Sequence, residues 1–167
     1  MDVGLSFGTN REDRLAHLRD AKSRVLETPG VEFVAASAVY ETEPVDVQPQ
    51  YQDLPFLNSV MIIAVTIDLD RMSDALHEIE TAMGRVRTED RNAPRPIDID
   101  IIYADNTTMN TPALTLPHER WSSRRFVVQP LADVRPELRM PDSNQTVREI
   151  LDAMPDVPTV SALTVDW

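Results

Sequence analysis

Apolar residues recur along this chain with a spacing near two in some segments and near 3.6 in others, and the order of these segments predicts the fold. Residues 3–7 read as a short strand ending at Gly8. Asn10 then caps a helix, with Asp13 reaching back at the third position, as in a capping box. Leu15, Leu18, Ala21, Val25 and Leu26 supply its apolar stripe, and Pro29-Gly30 ends it. Residues 31–42, rich in β-branched, small and aromatic side chains, read as one second strand. Residues 43–55 carry three prolines and no periodicity, which predicts a long loop. The nearly unbroken apolar run at 56–67 predicts a central strand buried on both faces. Asp70 caps a second helix in which Met72, Leu76, Ile79 and Met83 share a face, and Gly84 stands where a left-handed C-cap belongs.

At 97–103 the chain reads Ile-Asp-Ile-Asp-Ile-Ile-Tyr, a strict alternation. Ile97, Ile99, Ile101 and Tyr103 would face a core, and Asp98 and Asp100 would share the opposite face. Strand, helix, strand, strand, helix, strand in this order predicts an α+β, ferredoxin-like βαββαβ sandwich, with an antiparallel sheet and both helices on one face. Extra C-terminal strands and a helix follow. Asp105-Asn106 suggests a turn, 114–116 a short strand, 121–125 a helical turn, 126–129 a strand and 147–154 a terminal helix.

Composition narrows the function. At 167 residues, positions 1–167 fit one domain with a core of its own. There is no cysteine, which excludes a disulfide framework, a cysteine-ligated zinc and a cysteine nucleophile. No apolar stretch approaches bilayer length and no signal peptide is visible, so a cytoplasmic monomer with no membrane partner is expected. The net charge of −12 argues against nucleic acid as a partner. Against that sign, Arg85, Arg87, Arg91 and Arg95 crowd just upstream of the aspartates. Lys22 is the sole lysine.

Alternate carboxylates on a strand have Cα atoms about 6.6 Å apart, at ~3.3 Å rise per residue. Two charges that close repel unless a cation lies between them. Hard oxygen ligands of this kind suit Mg²⁺, which takes one or two carboxylates together with substrate phosphates. Arginine forks supply the anion-binding half of such a site. With only four glycines (Gly4, Gly8, Gly30 and Gly84), neither a Walker A loop nor a dinucleotide fingerprint exists. Phosphates must therefore be held by side chains and metal, and His118 and Arg124 are further candidates.

Four separated motifs, in order, resemble the 6-hydroxymethyl-7,8-dihydropterin pyrophosphokinase family of folate biosynthesis. They are Gly8-Thr9-Asn10 with Asp13-Arg14; Ser37-Ala38-Val39-Tyr40-Glu41-Thr42-Glu43-Pro44 leading to Phe56-Leu57-Asn58; Ile79-Glu80, Gly84-Arg85-Val86-Arg87 and Pro94-Arg95-Pro96-Ile97-Asp98-Ile99-Asp100; and Leu116-Pro117-His118, Arg124-Arg125-Phe126 and Gln129-Pro130-Leu131. The resemblance implies ATP and hydroxymethyldihydropterin as small-molecule substrates, with transfer of pyrophosphate to the pterin and release of AMP. It implies two Mg²⁺ ions held by Asp98 and Asp100, and arginines Arg85 and Arg95 steadying the transferred group. His77, Glu80, Arg87, Arg91, Thr115, His118 and Arg124 fall at ATP positions. Thr42 and Asn58 would meet the pterin edge, with Phe56 and Phe126 sandwiching its ring.

The chain departs from the family pattern in three places. Asn92-Ala93-Pro94-Arg95 stands where the family reads Trp-Gly-Pro-Arg, Pro96 precedes the metal strand, and the loop between Pro44 and Phe56 is longer. A regulatory anion-binding domain would need the arginines without both aspartates. A nucleotide phosphohydrolase would need water in the acceptor's place.

Overall fold

The computed structural model describes residues 1–45, 47–86, 93–157 and 159–167. Strand β1 (Asp2–Thr9) leads into α1 (Arg14–Glu27), then β2 (Val31–Ala36), β3 (Val39–Thr42), β4 (Phe56–Val65), α2 (Leu69–Ala82) and β5 (Asp98–Ala104). A small hairpin, β6 (Met109–Asn110) and β7 (Thr115–Leu116), precedes α3 (Arg125–Val134), α4 (Val147–Ala153) and β8 (Val160–Thr164). The main sheet runs β5-β1-β4-β3-β8, with β2 also on β4, and every pairing is antiparallel. This is the expected ferredoxin-like sheet with its second strand broken in two. The break falls at Ser37, whose hydroxyl accepts from the Val60 N–H at 2.9 Å and meets the Ser59 hydroxyl at 3.0 Å. A side chain there takes over a sheet hydrogen bond and bends the edge.

Alternation along the strands sorts side chains onto two faces. Val3, Leu5 and Phe7 of β1 join Met61 and Ile63 of β4, Ile99 and Ile101 of β5, and Leu18, Ala21, Val25, Met72 and Leu76 of α1 and α2 in one core. The opposite face carries Val60 and Ile62, covered by Val127, Val128 and Leu131 of α3 and by Val147 and Leu151 of α4. Only part of this second face is covered. Toward its other end lie Ser6, Gly8, Thr42, Phe56, Asn58, Asp98 and Asp100, which line an open cleft.

Several local expectations change. The first helix is capped by Asp13, which accepts from the Ala16 N–H at 3.1 Å; Asn10 is not the cap. Asn10 is buried instead, with its Oδ1 accepting from the Arg95 N–H at 2.9 Å. Asp68 rather than Asp70 caps α2. Residues 126–129 form part of α3, not a strand: Val127, Val128, Leu131 and Ala132 bury one helical face although Pro130 interrupts the donor series. The last element is β8, an edge strand on β3 that follows the expected terminal helix.

Tyr103 also changes face. A register shift between Gly4 and Leu5 against β5 inserts one extra residue, so Tyr103 joins Ile102 in the second core. Its ring lies flat over Gly4, where a Cβ would sit 2.3 Å from Tyr103 Cε1. The phenol is meanwhile tied to Asp2 Oδ2 at 2.7 Å. Gly4→Ala is expected to destabilise the protein by about 1–3 kcal/mol through this overpacking. Denaturant melts check the value, and an unchanged midpoint would show that the ring yields freely.

Candidate active site

The cleft is a consequence of strand alternation and small residues. Opposite Asp98 and Asp100 on β5, the paired positions of β1 are Gly8 and Ser6, which leave space above the sheet. Gly8 is needed for a second reason. A Cβ there would lie 3.2 Å from Asn58 Oδ1, crowding the amide that donates to Thr42 Oγ1 at 2.7 Å. Phe56 and Phe126 border the same space, with Glu43, Val45 and Val47 from the 43–55 loop and with Arg95 and Arg124; the cleft, open to solvent, spans about 620 Å³. Thr42, Asn58, Phe56 and Phe126, expected to meet a flat acceptor, are thus brought to one place. Phe126 arrives on the first turn of α3 rather than on a strand.

A second cleft of about 740 Å³ adjoins it, lined by Ser73, Leu76 and His77 of α2, by Ile99, Asp100 and Ile101, and by Leu114, Thr115, His118 and Glu119. His77, Thr115 and His118, expected on the nucleotide side, meet here. Asp100 lines both clefts and Asp98 the first, so the paired carboxylates sit at the seam. Arg87 and Arg91 lie outside the described residues.

The arginines engage the carboxylates. Arg85 follows the positive-φ Gly84 and is gripped by two acids, Glu80 and Asp98. Glu80 is 2% exposed and also accepts from the Ile99 N–H at 2.8 Å, which joins α2 to the metal-type strand. Burial works against the charge on Arg85, but Asp98 and Glu80 outweigh it and raise its pKa. Arg95 Nη2 lies 2.9 Å from the other oxygen of Asp98, and its guanidinium is 5.8 Å from the centre of the Phe56 ring. Asn10 holds the Arg95 backbone on both sides, accepting its N–H and donating to its carbonyl at 3.3 Å. The cap expected at Asn10 is therefore a stitch that fixes a cleft arginine.

Asp100 has a different environment. Burial first, and then the neighbouring Asp98, hold its carboxyl above the ordinary carboxylate range; His118, Arg124 and Arg85 oppose this. His118 lies 4.0 Å from Asp100, and its Nδ1 accepts from the Arg120 N–H at 3.1 Å, which leaves the Nε2 proton facing the carboxylate. Burial lowers the pKa of His118, which favours the neutral ring. Burial, followed by Arg120, likewise lowers that of Arg124, whose guanidinium is 5.6 Å from the Phe126 ring.

The donor set fits Mg²⁺. Among the described residues no group of three or more His, Asp or Glu could cage a metal. Two carboxylates at the seam, one of them raised in pKa by burial and then by the other, supply part of a coordination sphere and leave the rest to water and phosphate. Residues not anticipated as site residues include Ser6, Gly8, Glu43, Val45, Val47 and Ser73. The first two were legible in principle, because alternation in β1 puts Gly4, Ser6 and Gly8 opposite the core-facing Val3, Leu5 and Phe7.

A ferredoxin-like sandwich with paired carboxylates at the seam of two clefts, the first lined by Arg95 and Arg124 and the second by His77 and His118, has the make-up of a phosphate-handling site. Residues 4–136 match the 7,8-dihydro-6-hydroxymethylpterin-pyrophosphokinase (HPPK) family, and the chain belongs to it. It is 37% identical over 147 residues to the 2-amino-4-hydroxy-6-hydroxymethyldihydropteridine pyrophosphokinase of Methylorubrum extorquens, covering 88% of this chain and 89% of that protein. It is 35% identical over 152 residues to folic acid synthesis protein fol1 of Schizosaccharomyces pombe, covering 90% of this chain but 20% of that longer protein. A crystal structure of Plasmodium falciparum HPPK-DHPS with pteroate shares the fold, with a TM-score of 0.70 at 15% identity, covering 90% of this chain and 42% of that one. No helix among the described residues is long and apolar enough to cross a membrane.

Proposed function

We propose that this chain, acting as a single cytoplasmic domain, transfers pyrophosphate from ATP to 6-hydroxymethyl-7,8-dihydropterin, giving the pterin diphosphate and AMP. The observation that carries the reading is the placement of Asp98 and Asp100 between an aromatic, amide-lined cleft and a histidine-lined one. The first takes the pterin, with its ring between Phe56 and Phe126 and its edge against Asn58 and Thr42. The second takes the nucleotide, with His77, Thr115 and His118 around it; Arg124, on the wall of the first cleft, would meet its phosphates at the seam, and Glu80, Arg87 and Arg91 complete the nucleotide residues that the family resemblance implies. The pterin hydroxymethyl oxygen attacks the β-phosphorus and the bond to the α-phosphate oxygen breaks. No covalent protein intermediate is needed.

Asp98 and Asp100 would hold two Mg²⁺ ions, which neutralise charge on the triphosphate when bound. Without substrate, Asp98 is already neutralised by Arg85 and Arg95. Triphosphate offers these arginines a better anion, so they exchange Asp98 for phosphate and free the carboxylate for metal. Nucleotide and metal affinity are therefore linked. Calorimetry with a non-hydrolysable ATP analogue tests this: the analogue should bind far more tightly with Mg²⁺ than without it, and 6-hydroxymethylpterin should bind strongly only after both. Equal pterin affinity with and without the Mg²⁺–analogue would overturn the ordered assembly of the site.

A further inference from the structure

One side chain outside the reacting centre holds both stems of the acceptor loop. Arg14 opens α1. Its Nη2 lies 2.8 Å from Glu41 Oε2 on β3, and its Nη1 donates to the Pro55 carbonyl at 2.9 Å. Glu41 immediately precedes Thr42, and Pro55 immediately precedes Phe56. Thr42 and Phe56 are cross-strand partners, so Arg14 grips the chain one residue before each end of the pairing that closes the 43–55 loop. Thr42, Val45, Val47 and Phe56 all line the acceptor cleft.

The position is a poor one for a cation if the helix alone is considered. The aligned peptide dipoles present positive charge at a helix N-terminus, and the one acid that caps α1, Asp13, is already engaged with the Ala16 N–H. A neutral residue would suit the helix better. What Arg14 gains lies outside α1, in the two contacts to the loop stems. A long loop with no fully buried apolar side chain among its described residues loses much backbone freedom when it is fixed, and a planar fork that meets a carboxylate and a carbonyl at once reduces that freedom before a ligand arrives.

We propose that Arg14 is a positioning residue for the acceptor: by clasping Glu41 and Pro55 it pre-forms the pterin wall of the cleft. This rests on the reading of that cleft as the pterin site. The nucleotide cleft is built from α2, β5 and the 114–119 segment, none of which Arg14 touches, so the effect is confined to the acceptor.

The test compares wild type with Arg14→Met, Arg14→Lys and Glu41→Gln, by calorimetry with 6-hydroxymethylpterin in saturating Mg²⁺ and non-hydrolysable ATP analogue, with thermal melts in parallel. Arg14→Met should weaken pterin binding about 5- to 20-fold through lost preorganisation. Its analogue affinity should stay within about twofold of wild type, and its Tm should fall by no more than a few degrees, because the lost pair is partly exposed and the helix N-terminus sheds a cation. Arg14→Lys, with a point charge in place of a fork, and Glu41→Gln, which keeps the Pro55 contact, should fall between. Unchanged pterin affinity in Arg14→Met would overturn the clasp. So would an equal loss of analogue affinity, or a Tm that drops in step with pterin binding, since either marks a general structural role. A wild-type protein that binds the Mg²⁺–analogue but no pterin would overturn the acceptor reading itself, and the clasp with it.

Discussion

Asp98→Asn and Asp100→Asn are each expected to lower kcat by about a thousandfold or more, yet to differ in their effect on stability. The shared loss follows from the seam position of both carboxylates, since removing a ligand forfeits several kcal/mol of charge stabilisation in the transition state. From the sequence, two repelling carboxylates predict that neither substitution costs stability. The ion pairs change this for Asp98. Its side chain is 18% exposed and is shared between Arg85 at 17% and Arg95 at 19%. Breaking a half-buried pair of this kind costs more than a surface bridge and less than a fully buried one, about 1–2 kcal/mol. Burial and then Asp98 hold Asp100 above the ordinary carboxylate range, although its side chain is 44% exposed, so removing its charge should cost the fold little. Asp100→Asn should leave the metal-free Tm unchanged or raise it. Melts in chelator separate the two variants, and wild-type turnover in either would defeat the metal assignment.

Arg95→Ala is expected to lower kcat by about a hundredfold or more while weakening ATP-analogue binding much less. A preorganised donor aimed at developing charge contributes more in the transition state than in the ground state. Arg95 borders the acceptor cleft, and Asn10 fixes its backbone from both sides. Its guanidinium is held over Phe56 and against Asp98, on the path between acceptor and seam. Steady-state kinetics decide the matter. An unchanged kcat with only a raised ATP KM would make Arg95 a binding residue instead.

The parts of this site that were legible in the sequence are those governed by local periodicity. The Asp98/Asp100 face follows from alternation in β5, and the doubly buried β4 from its apolar run. The parts that were not legible depend on contacts across the fold. Asn10 and Asp13 are both competent caps by chemistry, and only the approach of the 95 backbone assigns Asn10 elsewhere. Phe126, Val127 and Val128 followed shortly by Pro130 have strand-like propensity, yet the apolar part of the second sheet face, around Val60 and Ile62, is covered by a helix there. Tyr103 obeys alternation until a bulge opposite Gly4 turns it over. Strand β8 exposes most of its residues at the sheet edge, so it offered no alternating signal. The arginine cluster reads from the sequence as an anion site, and the pairing of Arg85 with Glu80 and Asp98 appears only when α2 and β5 are brought together.

The proposed pyrophosphoryl transfer at the β-phosphorus to a pterin is tested by ³¹P NMR of the products formed from ATP, Mg²⁺ and 6-hydroxymethyl-7,8-dihydropterin. The expected result is AMP and a pterin-linked diphosphate appearing in equal amounts, only when the pterin is present and abolished by Asp98→Asn. Formation of ADP, or of AMP with free pyrophosphate in the absence of pterin, would contradict it.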